Sequence, residues 1–600
     1  MTKQNRRKLL YLIMAYAAVL SLSAIVGVIG GLESDSGLVN VLSRVPNSFV
    51  PDSLSDILLF GAVYFLLLRV CGREEGPDIW TVVLAVILSV LYYIAMALLW
   101  SDKLSFFHAD LYQAAYALLC IFGLFCVLYP VLRLCETWLE TGSGDPGAPI
   151  AHPMRTAFLC ILLGMLPWLL LNYPGTFCPD SSGQIQQFLG LIPWSAHHPP
   201  LTTAIMGLCF SVGSRVWDAN FGCFLFELFQ SVCGALIFAF GLSELSRHTS
   251  RRTYVLLLLF TALSPLWGCS AQAYEKDFLY AEFFALTFIF MLRLVLDGDG
   301  SRRNILFLTL SGTIAVLLRK TGLYELLPAF ILLALLQKKG ERLRLLASSG
   351  VVLAVWLLVN NVLYPSLGIE PGSVKEALSI PFQQTARYVN TYPDEITERE
   401  REVIDSVLDY SRLDRYNPEV SDNIKATYRG DASKLPAYFR VWFEMLRKHP
   451  ITYIEAFFKQ CFGYLAPVRS QLDCVVEPVT YPELLGIGLH SVTGEGARMC
   501  LLLVRLFFTD LPIVTVLSMA GTYTWVAMFC FVQLIRKKSF RELVLFVPVI
   551  MNILVCIASP LCAATRYELP TIAIAPFLLT VTMICSRRAE NAPPHALDRP

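Results

Sequence analysis

From Trp80 to Trp100 the sequence carries no charged residue, and stretches of the same kind recur along the chain. A run of about 17 to 25 apolar residues is long enough to cross the hydrocarbon of a bilayer as a helix. Inside lipid each backbone amide must be satisfied within the protein, so runs this long and continuous read as helices and not as open sheet. Composition agrees: 55% of the 600 residues are hydrophobic and only 16% are charged, where soluble domains carry about a quarter. The chain is expected to be an all-α polytopic membrane protein with membrane lipids as its surroundings.

A formal net charge of +1 and the lack of any basic domain exclude nucleic acid as a partner. The 17 cysteines lie mostly in apolar runs with no CxxC pair, so they read as small buried hydrophobes. Cys178, Cys269, Cys461 and Cys474 fall in polar segments, where oxidation would let them pair. The first apolar run is too long for a removed signal peptide.

Basic residues orient the chain. Lys3, Arg6, Arg7 and Lys8 precede a first span at 9–30 and put the N-terminus in the cytoplasm. Further spans are expected near 54–71, 80–100, 112–134, 156–172, 219–244, 253–268, 278–296, 304–318, 323–337, 343–363, 511–535, 541–560 and 569–586. This returns Arg69, Arg73, Arg133, Arg155, Arg247, Arg251, Arg252, Arg302, Arg303, Lys338, Lys339 and Arg536 to the cytoplasmic side. The stretch 201–217 is expected to lie in the outer interface, because counting it as a span would expel the cluster at Arg247. The result is roughly fourteen spans with both termini cytoplasmic. Four parts follow: N-terminal spans (1–155), a core of spans with outer loops (156–363), an external, mainly helical segment (364–510), and C-terminal spans with a tail (511–600). Thr397 is placed to cap a helix over Glu398–Leu408, and 438–447 has apolar residues at helical spacing.

On the outer side this topology leaves few cations, and those few stand beside acidic residues. They are Lys276 in Glu275-Lys276-Asp277, Arg319 and Lys320 before Gly322 and Tyr324, and Arg566 before Tyr567. Cations that break the inside bias suit an anionic ligand, although a single one also snorkels to headgroups. Asp180 lies on the same face with Gln184 and Gln187 following at helical spacing. Asp180 and Asp277 also read as helix caps, a role that does not exclude chemistry. His197 and His198 are adjacent, and on an extended chain their rings would diverge, which disfavours a shared metal. Glu227 and Glu282 fall inside spans, where either a hydrogen bond to a neighbouring helix or a transport pathway explains a carboxylate.

The pieces Tyr173-Pro174-Gly175, Asp180, Gln184, His198-Pro199, Lys276-Asp277, Arg319 with Gly322, and Arg566-Tyr567 resemble the GT-C type of membrane glycosyltransferase, and an uncharacterised bacterial group within it. The likeness is strongest over 155–360. It implies an inverting transfer of a sugar from a polyprenyl-phosphate donor to an envelope glycan, lipid or protein on the extracytoplasmic face of the plasma membrane. Asp180 takes the place of the first-loop acidic residue that acts as base or metal ligand, and Asp277 that of the second outer loop. Gln184, His197, His198, Glu275, Lys276, Arg319, Lys320, Tyr324, Arg566 and Tyr567 are then the substrate-binding set. Asp180 is followed by Ser181 where a second acid is often found, so a divalent ion such as Mg or Mn is compatible with the sequence but not required by it. Two other readings remain at this point: a transporter or lipid flippase of the envelope, and a scaffold whose external segment binds a partner.

Overall fold

The computed structural model describes residues 3–27, 54–70, 78–104, 110–142, 150–177, 179–468, 485–488, 492–511 and 514–590. Arg73, Cys178 and Cys474 lie outside them. Among the described residues the architecture is helical, and strand pairing is confined to isolated bridges. The chain divides into two compact units. The first takes in Met1–Thr141, Val374–Leu472 and Ile557–Ala563; the second takes in Gly142–Ser373, Asp473–Cys556 and Ala564–Pro600.

The first unit begins with α1 (Lys3–Gly27), α2 (Leu54–Val70), α3 (Ile79–Ser101) and α4 (Leu111–Gly142). Tyr11, Ala15 and Ala18 of α1 close on Val63 and Leu67 of α2, and Tyr93 of α3 meets Tyr116 and Cys120 of α4. The buried Glu136 inside these apolar helices is compensated, as lipid favours. Glu136 accepts from the Thr81 hydroxyl and pairs with Arg133 at 2.7 Å.

The second unit starts with α5 (Pro153–Leu171), the short α6 (Pro179–Phe188), α7 (Pro200–Val216) and α8 (Ala219–Leu245). Helices α7 and α8 form a hairpin that closes where Gly213 meets Gly222; a Cβ on either would collide with the facing backbone. The apolar run expected at 253–268 is not one straight span. It forms α9 (Arg251–Leu263) and α10 (Pro265–Ala271), bent by 42°. Pro265 supplies no amide and holds the preceding Ser264 extended, at φ −65° and ψ 122°, so the helix breaks there. Then come α11 (Lys276–Leu296), α12 (Arg302–Leu318), α13 (Gly322–Leu335) and α14 (Lys339–Leu358), the last running into a π-helical turn at Val359–Leu363.

The polar segment returns to the first unit as α15 (Ser379–Thr391), α16 (Glu398–Val407), α17 (Leu435–Lys448) and α18 (Pro450–Leu465). Phe382, Tyr388, Ile404, Tyr438, Met445 and Tyr453 make its core. Its Arg387 is buried between Asp102 at 3.1 Å and Glu455 at 3.0 Å, and Lys459 donates to the Leu98 carbonyl at the end of α3. The expected cap is present as a reciprocal box: Thr397 Oγ1 accepts from the Glu400 amide, and the Glu400 carboxylate accepts from the Thr397 amide. Thr397→Ala should cost about 1 kcal/mol. Amide exchange should speed up in the first turn of α16 while α17 keeps its protection, and unchanged exchange in α16 would remove the box as a stabilising element.

The chain ends with α19 (Glu495–Asp510), α20 (Ala520–Arg536), α21 (Val547–Ile557) and α22 (Thr565–Glu590). The span expected at 511–535 begins only at Ala520, after a 3-10 turn at Thr515–Ser518, and that at 541–560 opens with another at Glu542–Phe546. Among the described residues, seven helices are long and apolar enough to cross a membrane, or eight if α9 and α10 count as one span. Cys269 and Cys461 prove to be buried, unpaired residues of α10 and α18, not loop cysteines.

Candidate polar site of the second unit

Backbone bonds join two of the loops that carry acidic residues. The Thr176 amide donates to the Gln272 carbonyl at 2.9 Å, and the Tyr274 amide donates to the Thr176 carbonyl at 2.9 Å. The loop after α5 turns at Gly175, whose φ of 127° favours glycine, and a Cβ there would overlap the Glu227 carboxylate. Gln230 of α8 donates to the carbonyls of Ala271 and Ala273, and the Tyr274 hydroxyl donates to Met206 of α7. The two loops are therefore held by main-chain atoms and by the helices beneath them.

On this base, Asp180 and Asp277 enter the same neighbourhood. Neither is an N-cap. Helix α6 starts at Pro179, a residue suited to the first helical position, so Asp180 falls within the first turn. Glu275 holds the N-cap position of α11 without a side-chain capping bond and the helix starts at Lys276, so Asp277 too lies one residue inside. An acid in the first turn is favoured by the helix dipole. Asp180 is 38% exposed and 3.8 Å from His198 Nε2. Asp277 is fully buried, with Lys276 Nζ at 3.9 Å and Arg319 Nε at 4.0 Å.

Arg319 and Arg566 enclose the other side. Arg319 lies over the rings of Tyr280 and Tyr567, and Arg566 over Tyr567 from 4.9 Å. Arg566 pairs with Glu275 at 3.0 Å and donates to the Tyr567 hydroxyl at 3.1 Å. Glu275 is pushed up from the ordinary carboxylate range by burial, with Arg566 pulling the other way. Arg319 is held above its usual range: burial acts against its charge, but Glu325 and Asp277 outweigh it. Eight expected residues are thus gathered or in register here: Asp180, His198, Glu275, Lys276, Asp277, Arg319, Arg566 and Tyr567.

Others lie elsewhere. Gln184 is buried and donates to Thr202 and Thr203, tying α6 to α7. Lys320 lines a small cavity with Pro199, Trp356 and Tyr364 and has its ammonium against Gly372. Tyr324 is 58% exposed on α13. The divergence expected of His197 and His198 is not seen: the chain turns there, and the rings meet edge to face at 4.5 Å, with His197 exposed and His198 buried. Glu227 and Glu282 are buried without a hydrogen bond, so neither makes the bond to a neighbouring helix. Two residues went unread. Glu325 accepts from the Tyr280 and Thr321 hydroxyls, and Tyr280 in turn carries Arg319. An acid interrupting the apolar run that follows Arg319 was the available signal.

Burial and the nearby Lys276 push His198 down to about 4, against the opposing pull of Asp180. Its imidazole is neutral at pH 7 and supplies no charge to an anion. An unfolded chain takes up a proton at this residue near pH 6.5, so between that pH and about 4 the unfolded state binds more protons. Stability is therefore lost as pH falls through this window. His198→Gln should flatten the decline in melting temperature between pH 6.5 and 4; an unaltered decline would show that His198 does not contribute to it.

No three His, Cys, Asp or Glu side chains converge to hold a metal among the described residues. The Asp277 carboxylate faces two cations, a poor fit for a divalent ion.

Residues 193–596 match the model of a family of unknown function, DUF6020. The chain belongs to that family. The match takes in His198, α11 with Asp277, Arg319 and Arg566, while Asp180 and Gln184 precede it. No curated protein and no solved structure matches this DUF6020 chain.

Proposed function

We propose that this DUF6020 chain is a membrane glycosyltransferase of the GT-C type. It would move a sugar from a polyprenyl-phosphate donor to an envelope acceptor, on the outer face of the plasma membrane. In this reading the chain crosses roughly fourteen times with both termini cytoplasmic, the shorter and bent helices completing the count. One observation carries the proposal: an accessible carboxylate, Asp180, shares a compact polar cluster with Lys276, Arg319 and Arg566 at the ends of apolar helices.

The chemistry needs little more. Asp180 takes the proton of the acceptor hydroxyl as its oxygen attacks the anomeric carbon. The bond from that carbon to the phosphate oxygen breaks, and the electron pair leaves with the polyprenyl phosphate. Lys276 and Arg566 stabilise the charge growing on that phosphate. Arg319, buried behind them, holds Asp277 and Tyr567 in place. A single displacement inverts the anomeric centre.

Purified protein given a panel of polyprenyl-phosphate sugars and an envelope extract should release polyprenyl phosphate and yield glycosylated product. No release from any donor would end this reading. The buried, unbonded Glu227 and Glu282 favour a second one, a transporter or lipid flippase. Lipid movement in liposomes without sugar transfer, lost on Glu282→Gln, would establish that one instead.

A further inference from the structure

At the other end of α11, sixteen residues and about 24 Å along the helix from Asp277, a second polar pocket opens. It is a cavity of about 370 Å³ between the ends of α8, α11 and α12, lined by Glu244, Arg247, Arg293, Asp299, Arg303 and Asn304 among others. A second cavity of about 370 Å³ is almost wholly apolar and runs along the same three helices past Leu236, Phe283 and Leu310. Phe240, Phe290 and Phe307 line both. Phe290 stacks on Phe307 at 5.6 Å and meets Phe240 at 5.8 Å, so an aromatic collar joins the charged chamber to the greasy one.

An apolar groove on a membrane-spanning helix meets lipid tails whatever its shape. A charged chamber at its end is what selects a headgroup. Of the three arginines, Arg247 pairs with Glu244 at 3.1 Å and Arg293 with Asp299 at 3.1 Å. Both carboxylates of the lining are thereby engaged, which leaves neither of them free for an ammonium headgroup. Arg303 has no carboxylate within 4 Å among the described residues and lies over Phe307 at the collar. The start of α12 adds backbone amides beside it. Asn304 is 2% exposed; its amide group donates to Phe290 and Asp299, but its Oδ1 is buried without a partner. An unpaired cation asks for a phosphate, and a buried unfilled acceptor asks for a hydroxyl.

We infer that this double cavity is a binding site for an anionic glycerophospholipid with a hydroxyl-bearing headgroup, of the phosphatidylglycerol class. Its phosphate meets Arg303, a headgroup hydroxyl donates to Asn304 Oδ1, and an acyl chain passes the aromatic collar into the groove. The site is separate from the cluster at Asp277 and does not depend on the activity proposed for that cluster. On the orientation proposed above it faces the cytoplasmic leaflet.

The test uses full-length protein in a neutral detergent, offered equimolar phosphatidylglycerol, phosphatidylethanolamine and phosphatidylcholine with matched chains, and read by native mass spectrometry. Wild-type protein should retain phosphatidylglycerol about fivefold over the other two, the worth of one well-placed arginine. Arg303→Gln should abolish that preference, Arg303→Lys should keep most of it, and Arg215→Gln, on another helix, should leave it intact. Equal retention of the three lipids, a preference that survives Arg303→Gln, or displacement of the lipid by inorganic phosphate alone would each overturn the assignment.

Discussion

Asp180→Asn should lower sugar transfer by about a thousandfold, the usual scale for losing a positioned general base, while the protein accumulates and inserts as before. The side chain is partly exposed and pairs with His198 at 3.8 Å, so the amide removes a proton acceptor without emptying a packed site. Affinity for the polyprenyl-phosphate donor should be nearly unchanged, because the groups assigned to the phosphate are Lys276 and Arg566. Release of polyprenyl phosphate in single-turnover experiments separates the two effects. Transfer within threefold of wild type would remove Asp180 from the chemistry, and a loss confined to donor binding would reassign it.

The second large effect should come from Asp277, and on stability as much as on activity. Its carboxylate is fully buried with Lys276 and Arg319 at 3.9 and 4.0 Å. Removing one member of a buried ionic group leaves the others without compensation, which costs about 3 kcal/mol or more. Asp277→Asn should therefore lower the melting temperature and abolish transfer together. The companion variant Asp277→Asn with Lys276→Met restores charge balance; it should recover much of the stability and none of the activity. If the single variant melts like wild type, the buried carboxylate does not compensate those cations. If the double variant regains transfer, Asp277 and Lys276 are structural only.

Many of the apolar helices were legible because spanning a bilayer imposes a length and a near absence of charge, whereas the start of the run expected from 511 was not, its helix beginning only at Ala520. The break between α9 and α10 was less so: Ser264-Pro265 sits in the middle of a run whose average hydropathy hides it, although proline there is a local signal. At the candidate site, Lys276, Arg319 and Arg566 stood out as outer cations, and all three do converge. Which acid answers which cation was not legible, because Glu275 and Arg566 lie 291 positions apart. Neighbouring residues misled where the backbone turns. His197 and His198 meet because the chain is not extended there, and Lys320 departs from Arg319 towards Trp356 and Gly372. Gln184 was read from helical spacing alone, and spacing does not tell a cleft from the packed side of α6, where Thr202 and Thr203 wait for it.

The distance in sequence between Glu275 and Arg566 sets an order on biosynthesis. Translation at 5 to 20 residues per second puts roughly 15 to 60 s between the emergence of the acid and that of its guanidinium partner. During that interval the half-made protein holds an uncompensated carboxylate and lacks Tyr567, the ring on which Arg319 rests. On the proposed function, a nascent or prematurely terminated polypeptide would therefore lack a complete sugar-transfer site, and competence for transfer would arrive only with the last helix.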